Sequence, residues 1–237
     1  MIDAASHLGW FWGGSAVAAF ACGSIPFGVL IARGKGVDLR TVGSGNTGVT
    51  NVGRALGRRF GILCFVLDAA KGAAPVLLTG WIAGILGMGA ASMSPAAAWG
   101  WLGVAVAAIL GHCFSPWIGF RGGKGVATGF GAVLAMWPVL TIPALSAFLV
   151  WSVVLGLTRI MALASMAGAL VLPATVLAMA IGGGDRAASL RGSIPFLVIT
   201  GLIAAFVIFR HRANIVRLRQ GTESRLGKPA AATDEKA

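Results

Sequence analysis

Long hydrophobic runs separated by short polar segments set the pattern of this chain. About 20 apolar residues cross the hydrocarbon core of a bilayer as a helix, and helices satisfy their own backbone there. The pattern therefore predicts an all-α polytopic membrane protein with about seven transmembrane helices. The expected spans cover residues 9 to 32, 60 to 86, 97 to 113, 126 to 139, 141 to 157, 160 to 181 and 193 to 209.

The fourth and fifth expected spans share one apolar run, from Val126 to Leu157, which is too long for a single helix. Pro138 and Pro143 interrupt this run, and proline breaks a helix because it lacks an N–H and clashes with the preceding turn. We expect a tight turn there between two short helices. Five or six spans are the alternatives to seven.

Composition agrees with a membrane protein. The 237 residues are 57% hydrophobic and only 11% charged, and the mean hydropathy is +0.86, whereas soluble domains are about 25% charged. Residues 1–225 are expected to form a single transmembrane domain. Residues 226–237, which are small or charged, are expected to form a disordered cytoplasmic tail.

The net charge of +12 comes from basic residues that lie close to the ends of apolar runs. Lys and Arg are enriched in cytoplasmic loops of membrane proteins, so this placement argues against nucleic acid as the partner. An odd number of spans with the N-terminus outside puts the basic loops and the C-terminus in the cytoplasm. Only Arg186 and Arg191 then fall in an outer loop.

The stretch GSGNTGVTN, from Gly43 to Asn51, contains the GxGxxG pattern of dinucleotide-binding loops. That fingerprint requires a βαβ unit, whereas this chain enters an apolar span at Gly61, so a nucleotide cofactor is not expected. Glycines still let backbone N–H groups approach an anion, and Arg54 follows closely. An ordinary flexible loop is the alternative. Neutral hydrogen-bonding groups come from Ser44, Asn46, Thr47, Thr50 and Asn51.

A second glycine-rich stretch surrounds Lys124 and leads into a helical run, whose N-terminal N–H groups favour an anion. It is not a nucleoside-triphosphate loop, because Ile118 and Gly125 stand where that motif needs glycine and a hydroxyl. Binding of another phosphate remains open. The glycines concerned are Gly122, Gly123 and Gly125.

The third polar stretch, HRANIVRLRQGTE, follows the last span from His211 to Glu223. Helical spacing places His211, Asn214 and Arg217 on one face. A basic interfacial helix against anionic headgroups is the simpler interpretation. However, the three polar stretches are expected on the same side of the membrane, which indicates a cytoplasm-facing site for phosphorylated ligands.

Asp68 and Lys71 lie one helical turn apart within an apolar span. Charges there are rarely tolerated unless they are paired or functional, so a structural ion pair and a site role are both open. His112, at the end of the third span, is interpreted as a capping group in preference to a proton carrier. Cys22, Cys64 and Cys113 are isolated, so neither a disulfide framework nor a metal site is expected.

These motifs resemble, in order and setting, those of the bacterial acyl-phosphate glycerol-3-phosphate acyltransferase family. The resemblance runs from about residue 15 to residue 225 and rests on GSIPFG, GSGNTGVTNVGR, DAAKG, GHCFSPWIGFRGGKGVAT and HRANIVRLRQGTE. It implies a seven-helix bundle in the bacterial cytoplasmic (inner) membrane, with the active site facing the cytoplasm. The implied reaction transfers a fatty acyl group from acyl phosphate to the 1-hydroxyl of sn-glycerol 3-phosphate. Its products are 1-acylglycerol 3-phosphate (lysophosphatidate) and phosphate, in the first step of phospholipid synthesis.

No cofactor or metal is expected at this site, because no metal-binding pattern is visible in the sequence. The expected catalytic residues are Ser44, Arg54, Lys124 and His211. The expected substrate-binding residues are Gly43, Gly45, Asn46, Thr50, Asn51, Asp68, Lys71, His112, Gly122, Gly123, Gly125, Asn214 and Glu223. A soluble phosphate acyltransferase would make the donor, and a contact between the two proteins is compatible with this scheme.

The side-chain chemistry of these residues suggests a role for several of them. Arg54 and Lys124 would neutralise phosphates, Ser44 would hydrogen-bond the reacting groups, and Asn46 and Asn51 would orient the acceptor. His211 is the protein's best base for the attacking hydroxyl, oriented by Asn214 or Glu223.

Three alternatives stay open. A substrate phosphate would replace His211 as the base, and Ser44 would act as a covalent nucleophile instead of direct attack by the acceptor. An anion or phosphate-ester transporter is the alternative outside enzymes, although the outer loops 87 to 96 and 182 to 192 carry little polarity for a translocation path.

Overall fold

Helices account for most of the residues that the computed structural model describes, which are 4–183 and 185–226; for residues 4–8 only the backbone is described. Within these ranges there are ten α-helices, two short 3₁₀ turns and no strand. The helices are α1 (Ala4–Ser24), α2 (Phe27–Arg33), α3 (Val49–Leu56), α4 (Arg58–Ile82), α5 (Pro95–Cys113), α6 (Val126–Leu134), α7 (Thr141–Thr158), α8 (Met161–Gly182), α9 (Arg186–Arg210) and α10 (Arg212–Arg219). The expected tail, 226–237, lies outside the described residues except for Leu226.

Six segments of the described chain are long and apolar enough to cross a membrane. They are Gly9–Arg33, Arg58–Ile82, Pro95–Ile118, Thr141–Thr158, Met161–Gly182 and Arg186–Arg210. The prediction of an all-helical, polytopic membrane protein is therefore confirmed. The expected span at 126 to 139 is not among the six, because α6 has only nine residues.

The two prolines of the long apolar run behave differently. Pro138 lies in the turn between α6 and α7, as expected, and Thr141 Oγ1 closes that turn by donating to Leu134 O at 2.9 Å. Pro143 does not interrupt a helix, because it lies in the first turn of α7, where a missing N–H costs no intrahelical bond. The expected break at Pro143 is therefore wrong.

Small residues bring the helix backbones close together, as is usual in membrane bundles. A Cβ on Gly72 or Gly131 would overlap the backbone of the facing helix, so α4 and α6 pack in close contact. The same holds between α1 and α5, where Gly111 faces the carbonyl of Phe20. Close packing leaves little room for a substrate among the central helices and directs attention to the loops.

Hydrogen bonds between loops gather the polar stretches at one end of the bundle. Arg40 Nη2 donates to Ile118 O at 2.7 Å, which joins the loop after α2 to the loop after α5. Arg210 at the end of α9 reaches that same loop, and Leu226 N donates to Arg159 O in the turn between α7 and α8 at 2.8 Å. We call this end of the bundle the loop end.

Candidate active site

Asn51 organises the first glycine-rich stretch. Its side chain is 1% exposed, and its amide donates to Leu39 O and Val42 O, both at 3.0 Å. Its Oδ1 accepts from Ser44 N at 3.0 Å. Both amide hydrogens are therefore committed to the loop backbone, so Asn51 shapes the loop and has no free donor with which to orient an acceptor.

The rest of this stretch turns tightly and leaves its hydroxyl accessible. Gly43 and Gly45 adopt positive φ values of 59° and 66°, which glycine accepts without strain. Asn46 Oδ1 accepts from Gly48 N at 2.9 Å and so fixes the residue before α3. Ser44 is exposed, and no hydrogen bond of its Oγ is found within the described chain. Ser44 can therefore meet a ligand, and no basic side chain in the described part of the chain is hydrogen-bonded to its hydroxyl to activate it as a nucleophile.

Arg210 holds the second glycine-rich stretch in place. Its Nη2 donates to Gly123 O at 2.6 Å and to Gly122 O at 3.2 Å. A Cβ on Gly122 would overlap His112 O, and a Cβ on Gly123 would overlap the His112 ring. Sequence patterns did not single out Arg210, because a basic residue at the end of a span is already explained by the positive-inside bias.

Lys124 projects from this stretch towards α10. It is half-buried, and its Nζ donates to Asn214 Oδ1. Gly125 follows with φ +81° and serves as the N-cap of α6. The turn at this glycine directs Lys124 towards the third polar stretch, where its partner Asn214 lies 90 residues further along the chain.

The chain after α10 folds back across the site. Asn214 Nδ2 donates to Glu223 Oε1, and Arg217 Nε donates to Glu223 Oε2, each at 2.7 Å. One residue further, Ser224 Oγ accepts from Arg54 Nη2 at 2.6 Å. We call residues 222–226 the strap. It connects Arg54 with α10 and contains one predicted site residue, Glu223, and one that the sequence did not indicate, Ser224.

Within the described residues, four cations share this region with one carboxylate, Glu223. We call Arg54, Lys124, Arg210 and Arg217 the cationic cluster. The pKa of Lys124 falls to about 8, first because it is buried and then because Arg217, Arg210 and Arg54 repel its charge, while Glu223 opposes the shift. Four positive charges and one negative charge leave an excess of three. Such an excess is suited to phosphate groups.

His211 lies at the boundary between α9 and α10 and is 3% exposed. Its Nδ1 donates to Val207 O at 2.7 Å, which leaves Nε2 as the acceptor. Burial and then the charge of Lys124 lower the pKa of His211 to about 4. The expected orienting partners, Asn214 and Glu223, are wrong, because both bond to other residues and a backbone carbonyl orients the ring instead.

Three ionisable side chains meet inside the bundle. We call Asp68 and Lys71 of α4 and His112 of α5 the buried trio. Lys71 Nζ and His112 Nδ1 lie 2.8 Å and 3.7 Å from Asp68 Oδ1, and each of the three residues is at most 8% exposed. Sequence analysis left open whether Asp68 and Lys71 form an ion pair or take part in a site, and the ion pair is present. The expected capping role of His112 is wrong, because its ring faces Asp68.

The break between α1 and α2 is hydrogen-bonded to Lys71 of the buried trio. Ile25 O, beside the helix-breaking Pro26, accepts from Lys71 Nζ at 2.6 Å as well as from Phe27 N at 3.1 Å. Ser24 O and Oγ accept from Ser115 Oγ at 2.6 Å and Trp117 Nε1 at 2.9 Å, which binds this break to the loop after α5. Sequence reasoning did not identify Ser24.

A small cleft of about 10 Å³ lies between the two glycine-rich stretches. The buried trio forms part of its wall, and Phe27, Gly28, Thr47, Ser115 and Gly123 line the rest. A second, open groove of about 480 Å³ lies beside the strap and is mostly apolar. It is lined by Trp151, Ser152, Leu155, Gly156, Arg159 and Leu226. Within the described residues no group of three or more His, Cys, Asp or Glu side chains is placed to hold a metal ion.

Fold and site together define an all-helical membrane protein with a cationic cluster and two glycine-rich stretches at its loop end. Comparison with known proteins identifies the family. The model of the glycerol-3-phosphate acyltransferase family matches residues 14–221. A glycerol-3-phosphate acyltransferase of Anaeromyxobacter dehalogenans (strain 2CP-C) is 45% identical over 88% of this chain and 94% of its own. One from Thermosynechococcus vestitus is 40% identical over 90% and 93%.

Solved structures agree with the sequence relatives. The crystal structure of PlsY (YgiH), an integral membrane glycerol 3-phosphate acyltransferase, in its glycerol 3-phosphate form matches with a TM-score of 0.76 at 38% identity. The match covers 91% of this chain and 96% of that one. The lysophosphatidic acid form of the same enzyme matches with a TM-score of 0.72 at 37% identity. The chain belongs to the glycerol-3-phosphate acyltransferase family.

Proposed function

We propose that this protein transfers a fatty acyl group from acyl phosphate to the 1-hydroxyl of sn-glycerol 3-phosphate. The products are 1-acylglycerol 3-phosphate (lysophosphatidate) and inorganic phosphate, in the first step of phospholipid synthesis. The observation that carries this proposal is the cationic cluster, whose four cations face one carboxylate, Glu223, within the described residues. Acyl phosphate and glycerol 3-phosphate each carry a negatively charged phosphate, and together the two phosphates can balance the excess positive charge of the cluster.

Arg54 and Lys124 are suited to bind the two phosphates. A guanidinium forks onto phosphate oxygens, whereas an ammonium acts as a point charge. Acyl phosphate is a mixed anhydride with a good leaving group, so orientation and charge stabilisation can supply much of the rate. The acceptor hydroxyl attacks the acyl carbonyl directly, the bond between that carbonyl carbon and the phosphate oxygen breaks, and phosphate leaves with the bonding electron pair.

The proton of the attacking hydroxyl goes to a substrate phosphate in this scheme. The pKa of His211 is lowered to about 4, whereas a phosphate monoester has its second pKa near 6 and is the stronger base. His211 Nε2 then serves as a hydrogen-bond acceptor. The pH dependence of kcat distinguishes the two bases: an acid limb with a midpoint near 6 in both wild type and His211→Gln supports the phosphate. A limb that His211→Gln abolishes would return the role to His211.

We further propose seven crossings, with the loop end in the cytoplasm. α6 begins at the loop end, whereas Trp137 O accepts from Gly87 N, in the loop beyond the far end of α4, at 3.1 Å. This bond supports a crossing made by the short α6 and its following turn. The basic loops favour a cytoplasmic orientation. A donor-making soluble phosphate acyltransferase would meet this face. In sealed inside-out vesicles, an impermeant thiol reagent should label a cysteine at Arg121 and not one at Ala91, in a background without other cysteines.

The apolar groove beside the strap is suited to the acyl chain. Leu226 lines it, and Ser224, two residues earlier, bonds to Arg54. A donor can therefore place its phosphate at the cationic cluster and its chain in a groove that opens towards lipid.

The test is phosphate release from synthetic palmitoyl phosphate by the purified protein, with and without glycerol 3-phosphate and in the presence of a chelator. We expect release that depends on the acceptor and is matched by lysophosphatidate formation. Palmitoyl-coenzyme A should be inert as donor. Acylation from the thioester without acyl phosphate would contradict the proposed donor, and a folded protein inactive with both would contradict the enzyme.

A separate labelling experiment tests direct attack. The protein is incubated with radiolabelled palmitoyl phosphate without acceptor and then denatured. We expect no label on the wild-type chain, because no base among the described residues is hydrogen-bonded to the Ser44 hydroxyl. Label that is present on wild type and absent from Ser44→Ala would replace direct attack by a covalent acyl-serine.

A further inference from the structure

Three exposed cations lie at the corner where α2 ends and α4 begins. Lys35 Nζ lies over the Phe60 ring, 5.3 Å from its centroid, and Arg59 precedes Phe60 in the first turn of α4. Arg33 ends α2, two residues before Lys35. We call Arg33, Lys35 and Arg59 the basic corner. All three residues are exposed, and none of them takes part in the salt bridges found within the described chain.

The basic corner has little counter-charge of its own. Asp38 is the nearest carboxylate along the chain, and its Oδ1 accepts from the backbone N of Arg40 at 2.9 Å. The Phe60 ring attracts the charge of Lys35 but does not neutralise it. Arg59 lies in the first turn of α4, where a cation opposes the helix dipole, so its charge does not stabilise that helix. Three cations and one carboxylate leave an excess of two positive charges at this corner.

Apolar side chains continue from the basic corner along both helices. Helical spacing places Leu30 on the same face of α2 as Arg33, and Leu63 and Val66 on the same face of α4 as Arg59. These three apolar side chains are all exposed, although α2 and α4 belong to segments that are long and apolar enough to cross a membrane. Buried side chains of both helices share one apolar cluster, so the two exposed faces are neighbours.

An anionic phospholipid matches both parts of this surface. Basic side chains beside the end of a membrane-spanning helix attract anionic headgroups, and the acyl chains of the same lipid lie along the apolar helix faces. A soluble anion would meet only the cations, and a zwitterionic lipid would meet only the apolar faces without a net attraction to the charge. We propose that the basic corner binds one anionic phospholipid, with its phosphate between Lys35 and Arg59 and its acyl chains against α2 and α4.

The position of the basic corner gives the lipid a structural role. The segment between α2 and α4 contains the first glycine-rich stretch and α3, which carries Arg54. A lipid at this corner contacts the helices on both sides of that segment and therefore holds its two ends together. The inference goes beyond the transferase reaction, and its test needs no substrate.

The test measures the binding of lipid to the purified protein. Mixed micelles contain equal amounts of phosphatidylglycerol and phosphatidylcholine with the same acyl chains, and native mass spectrometry counts the lipids of each kind that stay on the protein. We expect wild type to retain one phosphatidylglycerol with a preference of about tenfold or more, because each basic side chain adds to the attraction. In Arg33→Gln/Lys35→Gln/Arg59→Gln the preference should fall below about twofold. Wild type without a preference would overturn the proposal.

A charge-matched control removes three exposed arginines elsewhere at the loop end, namely Arg121, Arg212 and Arg219. Arg212 also lies over an aromatic ring, 4.7 Å from the centroid of Phe209. The variant Arg121→Gln/Arg212→Gln/Arg219→Gln loses the same charge and should keep the preference of wild type. Equal losses in the two triple variants would show that every basic loop attracts anionic lipid, and the proposed site would be overturned.

Competition separates the basic corner from the cationic cluster. Glycerol 3-phosphate at millimolar concentration should leave the bound phosphatidylglycerol in place, because we propose that its phosphate binds at Arg54 and Lys124. Displacement of the lipid would show that the lipid occupies the cationic cluster, and it would overturn the proposal.

A measurement on wild type alone keeps the proposal testable if the triple variant does not fold. Phosphatidylglycerol with a photoreactive diazirine in its headgroup should label the end of α2 and the start of α4. Label spread evenly over the other helix ends would overturn the site. A protein that binds the lipid at the basic corner but transfers no acyl group would remove the proposed function and leave this inference standing.

Discussion

The cationic cluster and the buried trio lie next to each other, since Gly123 packs on the His112 ring and precedes Lys124. Their charges are organised in opposite ways. In the buried trio, Lys71 lies 2.8 Å from the carboxylate that balances it. In the cationic cluster, four cations share the carboxylate of Glu223. The comparison indicates that the balanced charge of the buried trio supports the fold, whereas the unbalanced charge of the cationic cluster is available to bind an anionic substrate.

Removal of Lys71 should produce the largest effect on stability. Lys71→Met leaves Asp68 buried without its counter-charge, so we expect the free energy of unfolding to fall by about 3–5 kcal/mol. The measurement is thermal or denaturant unfolding in a fixed detergent. The double variant Asp68→Asn/Lys71→Met should recover most of the loss, because no buried charge remains. A stable Lys71→Met protein would show that the ion pair does not hold the fold.

Removal of Arg54 tests the role of the cationic cluster. Arg54→Ala should lower kcat/KM for glycerol 3-phosphate by about 100- to 1000-fold, because a positioned charge on a transferring phosphate is lost. Its unfolding should change by less than about 0.5 kcal/mol, as for other exposed surface positions. Arg58→Ala is the matched control, because Arg58 is also exposed and lies four residues further along the chain, at the start of α4. Equal activity losses in both variants would indicate nonspecific electrostatics.

The sequence was informative where local chemistry decides structure. Apolar runs predicted the long helices, and the positive φ values of Gly43 and Gly45 agree with a glycine-rich turn. Spacing did not predict that the 126–139 segment contains only a nine-residue helix. Close packing compensates for the short length of α6, because Gly131 lies against the backbone of α4. That contact depends on tertiary structure and is absent from local periodicity.

The candidate site shows the same division. Residue types and motifs selected Lys124, Asn214 and Glu223, and the structure joins all three in one hydrogen-bonded chain. The prediction of the partner of His211 was wrong, because every residue has a backbone carbonyl and the sequence does not show that Val207 O is the one that accepts from the ring. Arg210 and Ser224 were missed for a related reason. Each acts through a contact between segments more than 80 residues apart, which no local pattern reveals.

The protonation of Lys124 sharpens the comparison through pH. Its pKa is lowered from 10.5 to about 8, so the ammonium is present below pH 8 and is lost as the pH rises above it. We expect kcat/KM for glycerol 3-phosphate to be level between about pH 7 and pH 8, above the acid limb of the substrate phosphate, and then to fall by up to tenfold per pH unit. Lys124→Arg should remove this alkaline limb, because guanidinium remains protonated. An unchanged limb in Lys124→Arg would assign it to another group.

The smallest expected effect comes from the strap. Ser224→Ala removes the acceptor that holds Arg54 Nη2 at 2.6 Å. One exposed hydrogen bond to a charged group contributes about 1 kcal/mol, so KM for glycerol 3-phosphate should rise by about fivefold. We expect kcat to stay within about twofold, because Arg54 keeps its charge and loses only its orientation. Thr222→Val is the control, because the Thr222 hydroxyl bonds to Arg217 O and does not contact the Arg54 guanidinium.

If Ser224→Ala lowers kcat as strongly as Arg54→Ala, the hydroxyl of Ser224 itself meets the substrates and the strap belongs to the site. If instead KM and kcat are both unchanged, Arg54 needs no support from the strap. The intermediate result, a change confined to KM, fits the comparison. A cation that awaits a ligand gains little stability from its neighbours in the free protein, and a single neutral hydroxyl can orient it without neutralising the charge that the phosphate has to meet.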